Sequence, residues 1–205
     1  MSADAGEKMS AQEAIERAFA RHTSVVGEVA YYWNLLHERL GVLFSIAAAI
    51  NNQVGMAVWY SVQSDRGQRG MLLAALRANK EDVWEIRPKA KAEIKWLTDY
   101  VSGTLAERRN DALHAPCELG MGIFEDRDGN LSQAIEVGPA YFLGNPRASK
   151  LSQKNLHKEF TWYAETAQAL ARYADAMVTA LTVIEATWPE RPRLPSLRQS
   201  HSRKT

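Results

Sequence analysis

The sequence predicts an all-α fold, a helical bundle that carries one small β-hairpin insertion near residues 120–137. Three long segments carry heptad-like stripes of apolar residues, two of them at alternating intervals of four and three, the pattern of helices that pack along a common seam. Between the second and third of these segments lies a stretch rich in glycine and proline, where an Asp-Gly pair indicates a hairpin turn. Three long helices with such seams predict a bundle.

The composition is that of an ordinary globular protein, with 46% hydrophobic and 24% charged residues in a chain of 205. This length fits one domain that buries its own core. The net charge of +1 gives no overall attraction to nucleic acid, so any site for an anion must be local. The single cysteine, Cys117, has no internal partner for a disulfide and favours a reducing compartment, here the cytoplasm.

The first segment of the chain is polar and lacks the apolar core of a secretory signal. Residues 1–8 are predicted to be disordered, and one helical domain is expected over residues 9–189. A first helix is predicted from Ser10, which can cap it, to about His22.

The second predicted helix runs from about Glu28 to Ile50 and carries a regular seam. The seam residues are Val29, Trp33, Leu36, Leu40, Leu43, Ala47 and Ile50. Residues 40–64 are uncharged and approach the length of a membrane span, but amide side chains at Asn51 and Asn52 would be costly in lipid. A buried helical hairpin broken at Asn51-Asn52, without membrane insertion, is the preferred interpretation.

Further helices are predicted along the middle of the chain. A helix follows the Asn pair and includes Trp59, the Gly-rich residues 64–70 are predicted as a loop, and a short helix covers Met71 to about Ala78. The next long helix is predicted to begin near Pro88 and to end at about Leu113. Its core stripe is Ile94, Leu97, Val101, Leu105 and Ala112.

Residues 117–146 form the predicted hairpin insertion, with Asp128-Gly129 at its tip and Val137 on its second arm. The last helix is predicted to begin at a cap on Ser152 and to stop at Pro189. Residues 190–205 contain an excess of basic side chains and are predicted to be a disordered tail.

The most polar stretch within the helical pattern is ERRNDALHAP, residues 107–116. At ~100° per residue, one helix face carries four residues opposite Ile94: Trp96, Gly103, Asn110 and His114. This face predicts a contact with a partner, in the simplest case a second copy of the chain. Arg109 lies ~140° from His114, so the two could meet only if the helix loosens or across a subunit boundary.

Two interpretations of this stretch stay open from the residues alone. Arg and His in a last turn complement the helix dipole without any other function. Alternatively, an imidazole before Pro116 is placed to transfer protons. A weaker candidate for the same cleft is His37-Glu38, which is more simply an exposed stripe on a buried helix. Arg66 and Arg69 could contact phosphate but are more simply solvated loop residues. No metal-ligand spacing is evident, so neither a metal nor another cofactor is expected.

The hexapeptide Arg109-Asn110-Asp111-Ala112-Leu113-His114 resembles the signature of the HEPN superfamily. In that signature an arginine, usually followed by a polar residue, precedes a histidine by four to six intervening residues, and here four intervene. The position at the end of a long helix in an all-α chain is similar too. The resemblance covers the core from about Glu28 to His114 and the final helix. Some toxin members carry a tyrosine where Pro116 stands here.

The resemblance implies a HEPN-like homodimer that cleaves RNA without a metal, in some members as a toxin or defence effector controlled by an antitoxin protein. Under this hypothesis His114 transfers a proton, Arg109 holds the scissile phosphate, and Asn110 supports either of them. The alternative is a non-catalytic helical dimer of the same fold that serves as a binding or scaffold module, since fold alone does not decide function.

Overall fold

The computed structural model describes residues 10–79, 87–125, 131–140, 144–152 and 154–196. The elements in chain order are α1 (Ala11–Ala47), α2 (Asn52–Ser61), α3 (Asp65–Ala78), α4 (Ala90–Tyr100), a π-helical segment (Val101–Leu105), α5 (Ala106–His114), β1 (Cys117–Glu125), β2 (Leu131–Pro139), α6 (Pro146–Leu151) and α7 (Leu156–Thr182). The predicted class, all-α with a small hairpin, is confirmed. The predicted disordered residues 1–8 and the Asp-Gly hairpin tip lie outside the described residues.

Helix α1 is one continuous element, so the predicted break between His22 and Glu28 is wrong. A capping box starts the helix: the Ser10 hydroxyl accepts from the backbone N–H of Glu13, whose carboxylate accepts from the N–H of Ser10. The helix continues through its β-branched residues because Val25 and Val29 are buried in a cluster with residues of α7. Tertiary packing thus overrides the weak local propensity.

The predicted break at Asn51 is confirmed. Helix α1 ends with Ala49 at φ 54°, and the N–H of Ile50 bonds to the Ser45 carbonyl at 3.1 Å, which is the Schellman arrangement with alanine where glycine is usual. Asn51 then caps α2 by accepting from the N–H of Gln53 at 2.8 Å. Ile50, predicted in the seam, is 37% exposed in this turn. Within the described part of the chain, no helix has the length and apolarity to cross a membrane.

Helices α1 and α2 cross closely because glycine stands at the contact. A Cβ atom built on Gly55 would lie 2.1 Å from the Oγ of Ser45 and 3.0 Å from its Cα. Ser45 is itself buried and donates its hydroxyl to the Gly41 carbonyl. This crossing seats Trp59, which is fully buried, against Gly41 and Phe44 of α1.

The Gly-rich residues 64–70, predicted as a loop, form the first turns of α3. Ser64 caps this helix by accepting from the N–H of Gly67 at 3.2 Å. Helix α3 buries one apolar side through Leu72 and Leu76, and it also buries Gln68 and Arg69. The glycines misled the prediction, because the amphipathic spacing extends through them to the cap.

The predicted long helix near residues 88–113 is confirmed as α4, the π segment and α5, and all of its predicted stripe residues are buried. The π segment was not predicted. Such segments arise where one extra residue is accommodated within a helix, and they occur frequently at functional sites.

The hairpin is confirmed, with β1 and β2 antiparallel from the pair Cys117 and Pro139 to the pair Glu125 and Leu131. Its second strand lies against the first turns of α1, where Glu136 is 4.0 Å from Arg21. Val137 is buried at this contact.

The last long helix, α7, begins at an Asn155 cap rather than at Ser152, which ends α6. It ends at Thr182 rather than at Pro189. The Arg87 guanidinium donates to carbonyls beyond this end, at 2.7 Å to Ile184 and 2.6 Å to Ala186, and so replaces further helical bonds.

The prediction of a disordered tail from residue 190 onward is corrected for residues 190–196. Arg191 donates to both carboxylate oxygens of Glu93, at 2.7 and 2.9 Å, and stacks 4.5 Å from the Trp96 ring. The Trp162 indole donates to the Pro195 carbonyl at 2.6 Å, and Leu194 packs against the main core. The high arginine content predicted a solvated tail, but residues of this segment contact Glu93 and Trp96 of α4 and Trp162 of α7.

The α1–α2 crossing predicts opposite effects of alanine at two glycines. Gly55→Ala should destabilise the fold by ~1–3 kcal/mol because the methyl group overlaps Ser45 backbone. Gly27→Ala, in the middle of α1 with no atom within 4 Å of the added carbon, should stabilise it by ~0.5–1 kcal/mol. Urea unfolding measures both. Equal effects of the two substitutions would contradict the close crossing.

The packed tail predicts that a chain ending at Ser196 is more stable than one ending at Pro189. The apolar contact of Leu194 and the hydrogen bond of Trp162 should together account for ~1–2 kcal/mol of the difference, with the exposed ion pair adding little. Chemical unfolding of the two truncated chains is the measurement. Identical unfolding midpoints would show that this segment does not stabilise the core.

Candidate functional site

Arg109 and Asn110 are in direct contact near the middle of α5. The Arg109 Nη1 donates to the Asn110 Oδ1 at 2.8 Å and lies 3.9 Å from the Asp65 carboxylate. The guanidinium also stacks over the Trp33 ring, 5.4 Å from its centroid, and the Arg109 side chain is 26% exposed. Its Nε is buried without a hydrogen bond. Arg109 therefore faces inward, toward α1 and α3.

His114 is the last residue of α5 and is exposed. No hydrogen bond or ion pair of His114 occurs among the described residues. The helix does not loosen before it, because the N–H of Ala115 still bonds to the Asp111 carbonyl at 3.0 Å. Arg109 and His114 thus point in directions ~140° apart, and one chain does not bring them together. Asn110 and His114 lie on the same side, one turn apart.

The sequence placed four residues on one face of this helix: Trp96, Gly103, Asn110 and His114. Gly103 and Asn110 do line the same groove. Trp96 is separate from it and packs under Arg191 of the tail segment. The π segment between Trp96 and Asn110 accounts for the difference, since its extra residue rotates the faces on its two sides relative to each other.

The neighbouring arginines of the motif have different environments. Arg108 faces α7, where its Nη1 lies 3.4 Å from the Glu159 carboxylate and its guanidinium is 4.7 Å from the Trp162 ring centroid. Arg109 faces α1 and α3. Arg108 therefore ties α5 to α7, and Arg109 is the arginine that belongs to the site.

A buried polar network lies next to Arg109. The Gln68 amide nitrogen donates to the carbonyls of Trp59 and Val62, at 3.0 and 3.1 Å, which leaves its oxygen 3.2 Å from the Nδ1 of His37. The Nη1 of Arg69 lies 3.0 Å from the Nε2 of His37. Because guanidinium can only donate, His37 must accept at Nε2 and donate from Nδ1. These partners define one neutral tautomer.

Burial is the main cause that lowers the pKa of His37, to about 4. The nearby Arg69 and Arg109 guanidiniums lower it further, whereas the Asp65 carboxylate opposes them. The imidazole is consequently neutral near pH 7, in agreement with the tautomer that its partners require. His37 acts here as an acceptor for Arg69 rather than as a proton carrier.

Trp33 joins the network to the motif. Its indole donates to the Asp65 carboxylate at 3.2 Å, and its ring stacks with His37 at a centroid distance of 4.6 Å. Both arginines lie near this ring, Arg69 at 5.7 Å and Arg109 at 5.4 Å from its centroid. One aromatic ring therefore stabilises two guanidinium groups, with Asp65 as the acid between them.

The π segment supplies a further partner. Its Ser102 hydroxyl accepts from the Nε of Arg69 at 2.9 Å. Arg69 is 5% exposed, and burial lowers its pKa. The guanidinium is held on one side by His37 and on another by Ser102, which fixes its plane.

Arg69 and Ser102 of this network line an open groove of about 1060 Å³ between α3, the π segment, α5 and α6. Four basic and two acidic residues line it, so its surface is locally positive. The basic residues are Arg66, Arg69, Arg147 and Lys150, and the acidic ones are Asp99 and Glu107. Asn110 lies at its edge. The groove is therefore a local concentration of positive charge in a protein of near-neutral net charge.

The sequence proposed Arg109, Asn110 and His114 as site residues and ranked His37 and Arg69 second. The expectation of an exposed His37 and of a solvated Arg69 is wrong, because both side chains are buried. Trp33 was predicted only as a seam residue, and Asp65 and Gln68 were not predicted to belong to the site. A polar His37 within an apolar seam was the available signal, together with amphipathic spacing through the glycines of α3. Glu38, by contrast, is solvated beside Arg39 as the simpler interpretation held. Among the described residues, no three metal-ligating side chains cluster.

Comparisons with known proteins add no relative. No family model, no curated protein and no solved structure matches this chain. HEPN membership therefore stays a prediction from the motif and its context.

The neutral state of His37 predicts a specific pH dependence of stability. In the unfolded chain this imidazole gains a proton below about pH 6.5, whereas in the folded protein it does so only near pH 4. The unfolded state thus binds more protons between these values, and stability falls as the pH drops through that window. His37 should contribute up to about 3 kcal/mol to this fall.

The measurement is the free energy of unfolding from pH 7 to pH 4 for the wild type and for His37→Gln, which cannot titrate. The wild type should lose more stability than the variant across the window. Parallel profiles would show that His37 is not held neutral.

Proposed function

We propose that this protein is a metal-independent endoribonuclease of HEPN type that acts as a homodimer, with Arg109, Asn110 and His114 at its site. The observation that carries the proposal is the position of the motif. Asn110 holds Arg109 by a hydrogen bond and borders the positive groove, and exposed His114 follows one turn later on the same side as Asn110. Of the three residues only Asn110 lines this groove, and a locally positive groove next to the motif suits a polyanionic substrate.

The residue types suit cleavage of RNA by its own 2′-hydroxyl. His114 takes the proton of this hydroxyl, whose oxygen attacks the adjacent phosphorus. The bond from phosphorus to the 5′-oxygen breaks, leaving a 2′,3′-cyclic phosphate, and the 5′-oxygen takes a proton from solvent. Arg109 donates to the phosphate oxygens and stabilises the charge that develops on them. Asn110 orients the guanidinium.

The directions of the two side chains support the proposed dimer. Arg109 points toward α1 and α3, and His114 points outward ~140° away on a regular helix. One phosphate reaches both groups most simply when they come from different subunits. A two-fold axis near α5 then creates two equivalent sites, each with Arg109 of one subunit and His114 of the other.

The biological setting rests on the resemblance alone. We extend the proposal to a cytoplasmic toxin or defence effector, which would need a neutralising antitoxin protein as partner.

A second candidate is a non-catalytic helical dimer that serves as a binding or scaffold module. The observation in its favour is that Arg109 already has structural partners: the Trp33 ring, the Asp65 carboxylate and the Asn110 amide. In this case the motif stabilises the junction of α1, α3 and α5, and His114 is a solvated residue at a helix end.

The proposal predicts that His114→Ala reduces RNA cleavage by ~10²–10⁴-fold, the usual effect of removing a proton-transfer group. Arg109→Lys should also reduce it strongly, because an ammonium cannot reproduce the planar pair of donors. Cleavage of a fluorescently labelled single-stranded RNA by purified protein is the assay, with and without a chelator.

Matched controls are His157→Ala and Arg172→Lys on α7, which lie outside the groove and should cleave like the wild type. Chelator should leave the rate unchanged. Equal rates for wild type and His114→Ala would favour the scaffold candidate, and loss of activity with chelator would reject metal independence.

A further inference from the structure

Arg69 is a buried cation that borders an open groove. Only 5% of the residue is exposed, yet it forms part of the groove wall. Its hydrogen-bond partners are both neutral: the Ser102 hydroxyl at Nε and the His37 imidazole at Nη1. No hydrogen bond of its Nη2 occurs among the described residues. A buried guanidinium whose hydrogen-bond partners are both neutral has no directly bonded anion to offset the cost of its burial.

The acids near Arg69 are engaged with other groups. Asp65 lies within electrostatic range of Arg69, but its carboxylate accepts from the Trp33 indole and pairs with Arg109. Glu107 pairs with Lys150 across the groove. Asp99, the other acid of the groove, pairs with Lys95 at 2.5 Å. Arg69 therefore keeps donor capacity toward the groove that these carboxylates do not use.

The orientation of Arg69 is fixed before any ligand arrives. The neutral tautomer of His37 accepts from one side and Ser102 of the π segment accepts from another, so the remaining N–H groups have a defined direction. A preorganised guanidinium of this kind suits a phosphate, whose oxygens accept paired hydrogen bonds. Exposed Arg66, one turn nearer the start of α3, adds a second positive charge at the rim.

We propose that Arg69 binds a backbone phosphate of single-stranded RNA in this groove, with His37 and Ser102 as the residues that position its guanidinium. The inference rests on the proposed function, because it places this phosphate next to the one held by Arg109. Asn110, which borders the groove and bonds to Arg109, connects the two positions. A single strand can place successive phosphates along such a groove, whereas an A-form duplex presents them on a fixed helical surface.

The test separates binding from cleavage by using a probe that cannot react. A fluorescent single-stranded oligonucleotide with 2′-O-methyl groups lacks the attacking hydroxyl, and fluorescence anisotropy reports its binding to the full chain. Arg69→Gln should weaken binding by about 10–100-fold, the scale of a lost charged hydrogen-bond pair. Affinity should also depend less on salt: the plot of log affinity against log salt should become shallower by about 0.7, the value for one phosphate contact on a single strand.

The matched control is Arg77→Gln, which removes the same charge from an exposed position of α3 outside the groove. It should leave affinity and salt slope within the experimental error of the wild type. Because Arg69 is buried, its variant is first compared with the wild type by circular dichroism and thermal unfolding. If it does not fold, exposed Arg66→Gln replaces it, with a smaller expected loss of about threefold.

Three outcomes would overturn the inference. The first is equal binding of the oligonucleotide by the wild type and the groove variants. The second is tighter binding of a duplex probe than of the single strand. The third is complete displacement of the oligonucleotide by inorganic phosphate at a concentration close to the dissociation constant of the oligonucleotide. The cleavage proposal fails separately. If the wild type binds the methylated strand through Arg69 but does not cleave unmodified RNA, the phosphate site is supported and the proposed ribonuclease activity is rejected.

Discussion

The parallel pairing of α1 with α7 is the constraint on which the rest of the structure depends. Three contacts show that the two helices run in the same direction: His22 with Phe160, Tyr32 with Gln168, and Arg39 with Asp175. Two parallel neighbours cannot be joined by a short turn, so the intervening chain must return along their length. Helices α2 to α6 and the hairpin form that return, and they cover the apolar sides that the pair leaves open.

The candidate site lies where this returning chain meets α1. Trp33 stacks near two guanidiniums, and His37 stays neutral because burial and those same cations disfavour its proton. The neutral imidazole lets Arg69 approach within hydrogen-bond distance, which a charged one would prevent. The positive groove in this protein of nearly zero net charge thus combines the buried Arg69 with three less buried basic residues, Arg66, Arg147 and Lys150.

The sequence predicted the parts of the fold that depend on periodicity. The α1 and α7 seams, the break at Asn51 and the antiparallel hairpin follow from local spacing and turn residues. The continuity of α1 through Val25 and the packed tail depend on distant partners. The start of α3 had local signals, a Ser64 cap and amphipathic spacing, but its glycines suggested a loop. The motif residues were visible as a pattern. His37 within an apolar seam was a local signal too, but local spacing does not predict its contacts with Gln68 and Arg69, which lie 31 and 32 positions away.

In the proposed dimer, each site combines Arg109 of one subunit with His114 of the other. The most direct test mixes two inactive variants, Arg109→Ala and His114→Ala, under conditions that let dimers exchange subunits. Half of the resulting dimers are mixed, and each mixed dimer contains one intact site out of two. A quarter of all sites are then intact, so recovery of about a quarter of the wild-type cleavage rate is expected. A mixture as inactive as either variant alone would contradict it.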